Sequence, residues 1–143
     1  MTHPDGAYLP SIKERSPSAD AERLRNSVAD WSAALAAVSD MPSSVRQDVL
    51  DALVLAQRFN MEVVRPMALQ LDRQALDDPH FLPRDLVRIA GEWGLFTVWL
   101  PTLFGGKGWN FISLYAFLEE VASACAGISA MIGVHYMGLG ALT

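Results

Sequence analysis

Apolar residues recur at steps of three and four along most of the chain, a spacing that predicts helices and an all-α protein. Between about residues 20 and 38 they form one narrow stripe, made of Leu24, Val28, Trp31, Leu35 and Val38. Such a stripe favours a helix that docks onto the rest of the protein, with a short coiled-coil seam as the alternative. Residues 1–43 are therefore predicted to form an irregular lead-in plus one amphipathic helix.

A second, longer helix is predicted to begin the main domain, residues 44–143. Ser44 and Gln47 have the spacing of a capping box, and apolar residues at helical spacing follow them. Proline removes a backbone donor and crowds the preceding turn, so Pro66 predicts a kink or break near Arg65 before the helix resumes.

Three further helices are predicted, which together make a helical bundle. The third begins with Pro83 at its first position and ends near Trp93, with Gly94 as its terminator. Residues 95–100 are interpreted as a short extended stretch. The fourth helix spans about residues 111–124 and the fifth begins at Ile128. Both are apolar almost all round, which is typical of the central helices of a bundle.

Charged residues are distributed unevenly along the chain. There are 16 acidic and 11 basic residues, for a formal net charge of −5, and the basic ones are scattered, so nucleic-acid binding is not expected. Residues 121–143 carry no charge and are long enough to cross a bilayer. Glycines and His135 interrupt this run, so we expect two shorter helices buried against other protein and no membrane span.

Cys125 is the one cysteine, which excludes a disulfide framework and a metal cluster held by thiolates. Residues 1–18 contain acidic residues and prolines but no apolar segment of the kind that a secretory signal needs. The expected compartment is therefore the reducing cytoplasm.

No catalytic or metal-binding constellation is evident in the residues themselves. Residues 105–108 lack the spacing of a phosphate-binding loop, so a tight structural turn is the preferred interpretation. Glu119 and Glu120 point about 100° apart on a helix and are interpreted as a solvated or salt-bridged edge. His135 has no acid, base or nucleophile within a helical turn and is interpreted as a hydrogen-bonded core or pocket-wall residue. We therefore expect no catalytic residue and no metal ligand in this chain.

A series of short motifs follows in a fixed order from residue 62. They are EVVRPMA at 62–68, LD at 71–72, FLPRDL at 81–86, GL at 94–95, LP at 100–101, FGGKG at 104–108, LEEVA at 118–122 and VHY at 134–136. In order and spacing, residues 56–142, about sixty per cent of the chain, resemble the amino-terminal helical domain of the acyl-CoA dehydrogenases. The glycine-rich FGGKG motif is the most specific of these elements.

Two positions depart from the family pattern. The family commonly has an acidic residue after the loop proline and a tyrosine before the glycine pair, where this chain has Thr102 and Phe104. The lead-in is also longer than that of the compact members and looks more like that of the larger bacterial relatives.

The resemblance implies an FAD-dependent dehydrogenase that acts on acyl-CoA thioesters and forms a homo-oligomer. In the family, a β domain and a carboxy-terminal helical bundle follow the amino-terminal domain and supply most flavin contacts and the glutamate base. Hydride passes to the flavin, and electrons then pass to an electron-transfer flavoprotein or another acceptor. The expectation is therefore that the chain ends before these parts and is inactive alone, with its own cofactor-binding residues unknown.

The resemblance also indicates which residues form a wall of the acyl pocket. They lie on the fifth helix, and the candidates are Ser129, Ala130, Gly133, Val134 and Met137. Gly133 has no side chain and would leave room for a long or bulky acyl group. The alternative is that these residues pack in the core, with the glycine marking a close contact between helices.

Two other functions stay open at this point. A flavin monooxygenase or oxidase on the same scaffold would differ from the dehydrogenase in the parts of the protein that this chain lacks. A non-catalytic helical module would instead pair with a partner through the uncharged residues 121–143.

Overall fold

The computed structural model describes residues 31–140. The prediction of an all-α protein is confirmed, because these residues form helices and turns without a strand in the described range. The α-helices are α1 (Ser32–Ala37), α2 (Ser43–Phe59), α3 (Arg65–Asp77), α4 (Arg84–Glu92), α5 (Phe111–Ala124) and α6 (Ala126–Gly140).

The helix predicted for residues 20–38 is described only in its last part, and Leu24 and Val28 lie outside the described residues. The described part, α1, packs on the rest of the protein. Val38 is buried with Val49 and Leu53 of α2, and the Trp31 indole Nε1 donates a hydrogen bond of 3.1 Å to the Glu120 carboxylate on α5. These contacts attach α1 to the first half of α2 and to α5.

The predicted capping box is wrong. Helix α2 begins at Ser43, two residues earlier than a cap at Ser44 would place it, with Pro42 before it and no side-chain hydrogen bond at its start. Because Ser44 is thereby inside the first turn, it is no longer the residue that precedes the helix. The Gln47 side chain instead donates to Asp51, one turn further along, at 2.8 Å.

The α-helix is interrupted just before Pro66, close to the predicted position. A π-helical turn, Asn60–Val64, joins α2 to α3, and the Arg65 amide bonds to the Asn60 carbonyl five residues back. A proline ring inside an α-helix collides with the carbonyl four residues before it, which here belongs to Glu62. That carbonyl lies in the wider π-turn, which accommodates the proline ring, and α-helical geometry resumes at Arg65.

Residues 95–100 are not extended, which corrects the second local prediction. They form successive turns after Gly94, in which the Leu95 amide bonds to the Ala90 carbonyl and the Thr97 amide to the Gly94 carbonyl. Leu95 and Val98 are nevertheless buried in the main core. The apolar run thus reflects burial, and burial alone does not specify an extended backbone.

The bounds predicted for α4 and α5 are close to those observed. Helix α4 spans Arg84–Glu92 with Pro83 one position before it, and Gly94 follows its end with a φ of 70°. Helix α5 begins after Asn110, whose side chain accepts a bond of 3.0 Å from the Ser113 amide. Helix α6 begins at Ala126, two residues before the predicted Ile128.

The core lies where α2, α4, α5 and α6 meet. Phe59, Phe117 and Ile132 have no exposed surface there. Helices α5 and α6 are not buried all round, however, since each has only one side in this core and presents apolar residues to solvent on the other. Within residues 31–140, no helix is both long and apolar enough to cross a membrane.

Candidate functional site

Helices α5 and α6 form a hairpin joined only by Cys125, which has extended backbone. Their seam is tight at three residues. The Ser129 hydroxyl donates a bond of 2.7 Å to the Leu118 carbonyl, and a Cβ on Gly133 would lie 3.3 Å from Leu118 Cδ1. The absence of a side chain at Gly133 therefore allows the two helices to approach closely.

Apolar side chains are exposed on both sides of this seam. On α5, Phe111 is 74% and Tyr115 68% exposed, and on α6, Val134 is 61% and Met137 70% exposed. Ala122 and Ala130 are exposed among them. We call this surface the trough, and its residues are Phe111, Tyr115, Leu118 and Ala122 of α5 with Ala130, Gly133, Val134 and Met137 of α6. Exposed apolar patches of this kind usually mark a surface that binds something.

The five predicted pocket residues lie on one arc of α6 that spans about 140° at 100° per residue. The arc passes from buried Ser129, through half-buried Gly133, to exposed Met137, Ala130 and Val134. The structure therefore brings the last three together on the open surface. The Ser129 hydroxyl is directed to the Leu118 carbonyl, and Gly133 lies against the Leu118 side chain.

The second half of α6 is attached to the turns of residues 94–100. The buried Tyr136 hydroxyl donates a hydrogen bond of 2.6 Å to the Leu95 carbonyl. The His135 ring lies 4.5 Å from the Phe96 ring, centre to centre. Burial raises the pKa of the Tyr136 hydroxyl well above its ordinary value, because the phenolate would lose hydration. These contacts fix the orientation of the trough-facing side of α6.

Replacing Tyr136 by Phe tests this attachment. At neutral pH we expect the free energy of unfolding to fall by about 1–2 kcal/mol, since the ring stays and only the hydrogen bond is removed. In the unfolded chain the tyrosine phenol has a pKa of about 10, and in the folded protein its pKa is higher. Above pH 10 the unfolded state therefore releases the proton more readily than the folded state, and the fold loses the stability that it has at lower pH. Urea unfolding at pH 7 and above pH 10 should therefore show a smaller alkaline loss in Tyr136→Phe than in the wild type. An equal alkaline loss in both proteins would contradict the assignment.

The glycine loop has no free backbone donors for a phosphate. The amides of Gly105, Gly106, Lys107 and Gly108 all bond to backbone carbonyls of residues 98–102. A Cβ on Gly106 would lie only 2.0 Å from the Leu100 carbonyl oxygen. The loop is therefore a closed structural turn, as the spacing suggested, and it does not fit the pyrophosphate of a flavin.

Other candidate chemistry is also absent from the described residues. Glu120 is paired with the Trp31 indole, whereas Glu119 is exposed. His135 is half-buried beside the core, and no hydrogen bond to its Nε2 is formed by the residues that the structure describes. Its position beside Phe96 places it on the inner side of α6, away from the trough. No group of three potential metal-ligating side chains occurs in the described range.

Sequence reasoning missed the α5 half of the trough. Phe111, Tyr115, Leu118 and Ala122 recur at steps of four, three and four, so they share one face of α5. That spacing was a usable signal. It was hidden because the neighbouring, buried side of the helix, with Leu114, Phe117 and Val121, is equally apolar.

A sequence model described as "Acyl-CoA dehydrogenase, N-terminal domain" matches residues 49–143. The mitochondrial short-chain specific acyl-CoA dehydrogenase of Mus musculus is 33% identical over 76 residues, which cover 51% of this chain and 17% of that protein. The cyclohex-1-ene-1-carbonyl-CoA dehydrogenase of Syntrophus aciditrophicus (strain SB) is 27% identical over 97 residues, 66% of this chain and 23% of that protein.

A third relative, the mitochondrial isobutyryl-CoA dehydrogenase of Dictyostelium discoideum, is 29% identical over 86 residues, 60% of this chain and 20% of that protein. The matched segment thus spans about a fifth of the length of these curated relatives. No solved structure matches the chain.

Proposed function

Because this chain belongs to the acyl-CoA dehydrogenase family through its amino-terminal domain, we propose that it supplies one wall of an acyl-CoA binding cavity. The complete protein would be an FAD-dependent enzyme that removes hydrogen from the α and β carbons of an acyl-CoA thioester. Residues 44–143 would form the family domain, with residues 1–43 as a lead-in. The names of the matched relatives, all acyl-CoA dehydrogenases, support the substrate class.

The observation that carries this proposal is that the trough is exposed to solvent, whereas α5 and α6 pack closely against each other beside it. Val134 and Met137, two of the residues expected in the acyl pocket, are mostly exposed, although both are apolar. Across the seam, Phe111 and Tyr115 extend the same apolar surface. A hydrocarbon chain gains free energy by leaving water for such a surface, at about 25 cal/mol per Å² of apolar area.

The proposal gives this chain a binding role and no chemical step. FAD, when bound to the complete protein, would accept the hydride from the substrate. The described residues offer no fitting cradle for its pyrophosphate, since the loop amides are already bonded. We place the flavin contacts and the base in other parts of the complete protein. Transfer of electrons to an electron-transfer flavoprotein or another acceptor, a homo-oligomeric assembly and a cytoplasmic location belong to the same proposal.

The test uses the protein produced from its complete gene. We expect the purified protein to show flavin absorbance and this absorbance to bleach when an acyl-CoA is added without oxygen. Free CoA is the control and should cause no bleaching. Bleaching by reduced nicotinamide alone would instead favour a monooxygenase or oxidase. A protein that neither holds flavin nor binds acyl-CoA would contradict the proposal and favour a helical module that docks a protein partner.

A further inference from the structure

The space beside Gly133 is occupied by the Leu118 side chain. A Cβ built on Gly133 would meet Leu118 Cδ1 at 3.3 Å and Cδ2 at 3.8 Å. The glycine thus leaves room for a leucine of the same chain. A ligand that lies in the trough at this point would contact the leucine methyl groups beside the partly exposed Gly133.

The backbone of Leu118 is fixed although its side chain is not fully enclosed. Its carbonyl accepts the bond from Ser129, and the residue lies within helix α5. The Leu118 side chain is only half-buried, at the border between the core and the exposed residues Tyr115 and Ala122. The size of the side chain at this position therefore decides how much space is left between the two helices beside Gly133.

We propose that Leu118 is the residue that limits the size of the acyl group, so that the wild-type protein favours compact acyl groups. This inference rests on the proposed function. Replacing Leu118 by Ala would remove about three carbon atoms directly above a residue that has no side chain, and it would open a notch between the two helices. An acyl chain too long for the wild-type trough could then extend into that notch.

The experiment measures kcat/KM for saturated straight-chain acyl-CoAs of increasing length, with the protein from the complete gene. For the first length that the wild type rejects, Leu118→Ala should raise kcat/KM by about tenfold or more, the usual effect of one methylene in an apolar pocket. Short substrates should change little. Calorimetric affinities for the same acyl-CoAs should shift in the same direction.

Three variants serve as controls. Leu118→Met conserves volume and should keep the wild-type length limit. Leu69→Ala removes the same atoms from an exposed residue of α3 and should leave the profile unchanged. Gly133→Ala should push the Leu118 methyl groups outward and lower kcat/KM for the longest accepted substrate. If Leu118→Ala does not fold, Leu118→Val replaces it, with a smaller shift in the same direction.

A folded Leu118→Ala variant that is active on short substrates but retains the wild-type length profile would overturn this inference and leave the proposed function standing. A wild-type protein whose flavin no acyl-CoA reduces would overturn both.

Discussion

Gly106→Ala is expected to cost about 3–5 kcal/mol or more of folding free energy, the range of severe single-site effects. A Cβ at this position would lie 2.0 Å from the Leu100 carbonyl oxygen and 2.5 Å from that of Thr97. Both neighbours are backbone atoms, which cannot move aside without breaking the hydrogen bonds that close the loop. The melting temperature should fall by roughly 10 °C or more.

Gly127→Ala is the matched control for this prediction. Gly127 is an exposed residue of α6, and its new Cβ would come no closer than 3.9 Å to another atom, the Cys125 sulfur. Alanine in a helix is favoured over glycine by up to about 1 kcal/mol, so this variant should be as stable as the wild type or slightly more stable. Similar melting temperatures for Gly106→Ala and Gly127→Ala would show that the loop is not closed in the way described.

Phe117→Ala is expected to lose about 3–5 kcal/mol, the usual cost of removing a buried phenylalanine. Phe117 has no exposed surface, and the centre of its ring lies 6.2 Å from the centre of the Trp109 ring. Phe111 is on the same helix and is 74% exposed, so Phe111→Ala should change stability by no more than about 0.5 kcal/mol. Chemical denaturation of both variants measures the difference directly.

Comparing Phe117→Ala with Phe111→Ala also distinguishes the side of α5 that lies in the core from the side that belongs to the trough. Phe111→Ala should weaken acyl-CoA binding by the complete protein although it hardly affects folding, since its ring belongs to the open apolar surface. A large loss of stability in Phe111→Ala would mean that the ring is covered within the folded chain, contrary to its exposure here.

Helix positions were largely predictable because the local signals are strong. Pro83 lies one position before α4, and Gly94 follows the end of this helix with a left-handed backbone. The region of Pro66 was not predictable in the same way. Whether a proline breaks a helix or is accommodated by a π-turn depends on tertiary contacts, such as the bond of 2.6 Å that the Asn60 side-chain Nδ2 donates to the Glu120 backbone carbonyl.

The candidate site was predicted only in part, for a related reason. Helical spacing placed Ser129, Gly133 and Met137 near one another but could not say which of them face α5 and which face solvent. Which residues of α6 face α5 depends on how the two helices pack, and there Leu118 lies against Gly133, fifteen residues further along the chain. The apolar character of both sides of α5 concealed the trough residues, because periodicity identifies a face only when its opposite face is polar.

The central claim is that an acyl group lies against the exposed face of α6, and one labelling measurement tests it directly. In the complete protein with Cys125 and every other reactive cysteine replaced by serine, a cysteine introduced by Val134→Cys is labelled by a thiol reagent, with Leu76→Cys as an exposed control on α3. A non-oxidisable acyl-CoA thioether at about ten times its Kd should slow labelling at position 134 roughly tenfold, whereas free CoA should not. Labelling at position 76 should not change. Equal labelling rates at position 134 with and without the acyl-CoA analogue would contradict the account.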